Sequence, residues 1–177
     1  MSVFTDFLEE EVVFLVSLPY RVGLWMSYVE DDASTDRDDE REKRALESVM
    51  LEISKNTKEA PFVSAVVGES LAYKDLWTDW GAQNQSLLDD VKKAMVLVTQ
   101  RMADDNIENF KQAILRVAQS VALAHGEFED IQDESPSFFN NLISKVSDKL
   151  SSSSEDPDNI SPAEQVALKK LREALQA

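Results

Sequence analysis

Two acid-rich connectors carry the side chains in this chain best suited to chemistry. The first runs Tyr28-Val29-Glu30-Asp31-Asp32-Ala33-Ser34-Thr35-Asp36-Arg37-Asp38-Asp39-Glu40, the second Ala124-His125-Gly126-Glu127-Phe128-Glu129-Asp130-Ile131-Gln132-Asp133-Glu134. Between Glu30 and Glu42 there are eight carboxylates against two arginines, and between Glu127 and Glu134 five carboxylates with no base. Crowded carboxylates repel one another, so a fold that holds them invites a cation or a basic partner. Hard oxygen donors of this kind suit a divalent cation such as Ca²⁺ or Mg²⁺. The expected ligands are Glu30, Asp31, Asp32 and Asp36 from the first connector and Glu127, Glu129, Asp130 and Glu134 from the second. Neither connector is an EF-hand. A loop started at Asp32 has Ser34 and Asp36 in register, but Arg37 where glycine is required and Lys43 where the bidentate Glu belongs. The competing reading is solvated charge, because acids gather at helix N-termini where the macrodipole favours them.

Other chemistries find little to work with. The chain has no cysteine and one histidine. That removes disulfides, thiolate catalysis and cysteine zinc sites, and leaves no Glu-x-x-His pair for a di-iron bundle. His125 reads as a helix-terminal residue, where a cation is favoured by the C-terminal dipole. The serines cluster at Ser151-Ser152-Ser153-Ser154, and none lies in a nucleophile elbow. No catalytic residues are assigned, and the expectation is a protein that is not an enzyme. Trp77 and Trp80, with Tyr73, lie at helical spacing and read either as core or as a hydrophobic contact site for a partner.

The elements that must position these residues are helical almost throughout. A first helix is expected over about 4–17, with Phe4, Phe7, Leu8, Val12 and Leu15 at three- and four-residue spacing. Pro19 is placed to open a second, carrying Val22, Trp25, Met26 and Val29. A third spans Arg37 to Ser54 on a stripe of Ala45, Leu46, Val49, Met50 and Ile53. A fourth starts near Pro61 and ends near Gly81, with Val63, Val66 and Val67 also compatible with a short strand. Residues 85–102 and 105–125 carry clean apolar stripes, the latter ended by Gly126. Ser135-Pro136 opens a helix with Phe138, Phe139, Leu142, Ile143 and Val146. After a polar linker near 151–160, Ser161-Pro162-Ala163-Glu164 is a capping box that opens a last helix with Val166, Leu168, Leu171 and Leu175. The sum is a single all-α domain over residues 1–177, a compact bundle of about eight helices in which helix, acidic connector and helix occur twice.

Composition narrows the partners. The formal charge of −16 repels nucleic acid and anionic membranes. The apolar run Val12 to Leu18 follows acids rather than a basic region, and Pro19 and Arg21 interrupt it short of the ~20 apolar residues a membrane span needs. No nucleic-acid partner and no membrane insertion are expected; a protein partner and a cytoplasmic location are.

The segment Val117 to Phe128, with Ala124-His125-Gly126-Glu127 at its end, resembles the signature of TerB-like tellurite-resistance proteins. In that family an alanine-rich helix ends in an Ala-Asp-Gly stretch followed by acids; here His125 stands in place of the aspartate. Ser161 to Leu171 is similar to the family's closing helix. The resemblance implies an all-α fold of two related helical halves. It also implies a non-enzymatic stress-response role in which acidic residues bind a cation within multiprotein assemblies. The alternative is a metal-free interaction module that uses its acidic face, or the Trp77 and Trp80 surface, to hold a partner.

Overall fold

The computed structural model describes residues 3–30, 36–55, 58–128 and 160–177; for 30, 36–42 and 125–128 it describes the backbone only. Among these residues there are seven α-helices and no strand: α1 (Glu9–Ser27), α2 (Asp36–Ser54), α3 (Pro61–Ala72), α4 (Trp77–Gly81), α5 (Leu87–Arg101), α6 (Asp104–Phe128) and α7 (Pro162–Gln176). Single 3₁₀ turns follow α1 and flank α4. The all-α expectation holds. The helix expected after Pro136 and the polar linker lie outside the described residues.

The first correction concerns Pro19. It sits inside α1 rather than opening a second helix, so the two expected helices are one. The missing N–H and the ring's clash with the Leu15 carbonyl cost about 3 kcal/mol in a helix interior. On either side of the proline, Leu15, Val16, Leu18, Val22 and Met26 are fully buried. Each such side chain stabilises the fold by roughly 1.5–3 kcal/mol, so burial outweighs the break. The helix also starts later than expected. Leu8 is the N-cap and donates its N–H to the Glu11 carboxylate at 2.8 Å, one half of a capping box. Residues 3–7 form turns, and Leu8 itself is exposed.

α1 and α6 are the central pair. From Leu15 to Pro19 every α1 residue is buried, and so is every residue of α6 from Val117 to Ala124. A helix buried on all sides belongs in the middle of a bundle. α1 packs on α6 and on α2, α3, α4 and α5. Ala118, Ser120, Ala122 and Ala124 keep α6 slim enough to be covered by its neighbours. Gly23 does the same for α1, since a Cβ there would overlap Leu46 Cδ1 and lie 2.8 Å from Cδ2.

The outer helices follow their stripes. Ala45, Leu46, Val49, Met50 and Ile53 of α2 are all buried. On α5, Val91, Met95 and Val98 are buried, and α5 packs on α7. The expected stripe of the last helix is corrected at Val166, which is 54% exposed, while Ala167, Leu168, Leu171, Ala174 and Leu175 face the core. The segment from 61 to 81 is two helices with a 3₁₀ turn between them, and the valines that allowed a strand lie in α3. α6 runs through Gly126 to Phe128 instead of stopping at the glycine.

The capping box at the start of α7 is complete. Glu164 N–H donates to Ser161 Oγ at 3.2 Å, and Ser161 N–H donates to Glu164 Oε2 at 3.0 Å. Ser161→Ala should therefore cost ~1 kcal/mol, read as a lower urea midpoint with an unchanged slope. An effect below about 0.3 kcal/mol would show that the cap is not needed once α7 is packed.

Candidate functional site

α2 and α6 are antiparallel neighbours. Ala45 of α2 packs on Ala124 of α6. Farther along α2, the Glu52 carboxylate pairs with Arg116, which lies farther back on α6, at 2.6 Å. One contact advances along α2 while the other retreats along α6, so the N-terminus of one helix meets the C-terminus of the other. Asp36 begins α2 roughly 14 Å before Ala45, and Phe128 ends α6 roughly 6 Å after Ala124, at 1.5 Å per residue. Both acidic connectors therefore meet the described fold at the same end of one helix pair.

Of the residues expected to ligate a cation, Glu30 closes the 3₁₀ turn after α1, Asp36 is the first residue of α2 and Glu127 lies in the last turn of α6. Asp31, Asp32, Glu129, Asp130 and Glu134 lie outside the described residues. Among the described residues there is no group of three or more acidic or histidine side chains arranged to hold a metal ion. The helix dipoles act differently on the two connectors. The positive end of α2 favours the acids around Asp36, whereas the negative end of α6 disfavours Glu127.

Trp77 and Trp80, read from the sequence either as core or as a contact site, lie in the core, each 5% exposed. The Trp77 indole N–H donates to the Ser70 carbonyl at 2.9 Å, and its ring stacks on Tyr20 at 4.3 Å between centroids, 15° from parallel. This satisfies the polar edge of a buried indole.

Sequence reasoning missed a groove beside that stack. It has a volume of about 330 Å³ and lies between α1, α2 and α4, with Val121 of α6 at its wall. Tyr20, Leu24, Leu46 and Trp77 supply apolar surface; Ser27, Thr78, Lys43, Glu47 and Lys74 supply polar groups. Lys74 Nζ pairs with Glu47 at 2.9 Å and lies 5.4 Å from the Trp77 ring centroid, a cation–π contact. Burial raises the Tyr20 phenol above its ordinary value, and nearby Tyr28 adds to the shift, so Tyr20 keeps its proton at neutral pH. The lining comes from four helices and two 3₁₀ turns. Its only local signal was the helical spacing of Tyr73, Trp77 and Trp80.

A buried polar cluster fixes α1 against the start of α5. Arg21, 1% exposed, donates from Nη2 to Asp90 Oδ2 and to the Gln83 carbonyl, each at 2.8 Å. Ser86 Oγ donates to the same Asp90 oxygen at 2.8 Å, Lys93 Nζ to the other at 3.1 Å, and Asn84 Nδ2 to the Arg21 carbonyl at 3.1 Å. Burial pushes the Asp90 carboxyl up, but the hydrogen bonds from Arg21, Ser86 and Lys93, with the charge of Arg21, together hold it below the usual carboxylate range.

Among the described residues no helix is long and apolar enough to cross a membrane. Comparison with protein-family models, with curated proteins and with solved structures finds no match to this chain.

Proposed function

We propose that this chain is a non-enzymatic binding protein of the TerB-like kind, whose two acidic connectors form one end that binds a divalent cation such as Ca²⁺. The observation that supports this reading is the antiparallel packing of α2 and α6, which brings the flanks of both connectors to one end of a helix pair. A cation there relieves two unfavourable terms together: repulsion among the carboxylates and the clash of the Glu127 region with the negative end of α6. The tellurite-linked stress role of TerB-like proteins is the cellular context this reading carries.

The test is thermal melting during titration with Ca²⁺, Mg²⁺ and Mn²⁺, against sodium chloride of matched ionic strength. A cation held only by the folded state stabilises by about 2.7 kcal/mol at one hundred times its dissociation constant. For a chain of this size that raises the melting temperature by roughly 5–10 °C. Replacing Asp31, Asp32, Glu129 and Asp130 with their amides should abolish the rise. No shift with any of the three ions at millimolar concentration overturns the cation reading. The same acidic end would serve a basic protein partner without metal. That alternative predicts salt-sensitive capture, lost when Asp36, Asp38 and Asp39 become asparagine.

A further inference from the structure

We draw no further inference here: the strongest candidate, the groove of about 330 Å³ between α1, α2 and α4, has its Tyr20 and Trp77 ring faces already covered by each other and by Lys74, and nothing in the structure shows what would fill it.

Discussion

Asp90→Ala should destabilise the protein by about 3–5 kcal/mol, the cost of leaving a buried charge without its partner. Arg21 is 1% exposed, and its guanidinium would keep only the Gln83 carbonyl. Its Nε already has no hydrogen-bond partner, so the remaining group is poorly placed to find another. Ser86 would lose its shorter bond and keep only the Gln83 carbonyl at 3.3 Å. Lys93, exposed at the rim, would return to solvent at little cost. Arg21→Met in the same chain should recover most of the loss, because an apolar pair of matching volume replaces a buried ion pair at little or no net cost. Urea unfolding of the two single variants and the double variant measures this as a thermodynamic cycle. A loss below 1 kcal/mol for Asp90→Ala would show that water reaches Arg21 and that the pair is not buried in solution. The pair also has a pH signature. The Asp90 carboxyl is held below the usual carboxylate range when folded, so its contribution is complete above the ordinary aspartate value near 4 and disappears as pH falls through the folded value. The stability gap between the parent protein and Asp90→Asn should therefore stay constant from about pH 5 to 7 and narrow below about pH 4. A gap that widens on acidification would contradict the assignment.

Phe62→Ala should cost a similar ~3–5 kcal/mol, by a different route. Phe62, 1% exposed at the start of α3, meets Phe7 in a stack at 5.7 Å, Phe4 edge-on at 6.0 Å and Phe110 of α6 at 6.1 Å. Truncation leaves a cavity that three aromatic rings cannot close without moving. The turns at residues 3–7 have other anchors besides Phe62. One is Arg101, which donates to the Asp6 carbonyl at 2.8 Å, pairs with Glu11 through Nη2 at 2.7 Å and lies 5.3 Å from the Phe7 ring centroid. The loss should therefore show twice, as a lower urea midpoint and as faster amide exchange in residues 3–8 than in α6. Phe62→Leu should recover more than half of the stability. An alanine variant within 1 kcal/mol of the parent would mean that the N-terminal turns reseat themselves in the cavity.

The helices were legible where one face is buried and the other wet. α2 is the clear case: Ala45, Leu46, Val49, Met50 and Ile53 recur at the helical period, and all five are buried. The start of α7 was equally legible, because a serine, a proline and a glutamate at fixed spacing satisfy the first N–H groups of that helix whatever surrounds it. Periodicity misled where burial goes all the way round. In α1 the wet face disappears over Leu15 to Pro19, so nothing in the pattern distinguished one helix through Pro19 from two helices meeting at it. Trp77 and Trp80 were ambiguous for the same reason, since helical spacing shows which residues share a face and not what covers it.

The candidate site divides along the same line. Clustered carboxylates can be read from residue order alone, because neighbours in sequence are neighbours in space. The chain by itself therefore determined the helical class, the start of its last helix, the absence of thiol chemistry and the two acid-rich connectors. The tertiary structure decided the rest. It set α2 antiparallel to α6, so that both connectors meet one end of the bundle. It joined Arg21 to Asp90 across 69 positions of sequence. It also closed a groove with Tyr20, Lys43, Lys74 and Val121, which share no stretch of chain. The reason is physical: helical periodicity, caps and local charge are properties of a few consecutive residues, whereas a buried ion pair or a lined groove exists only once distant helices have packed and water has been excluded between them.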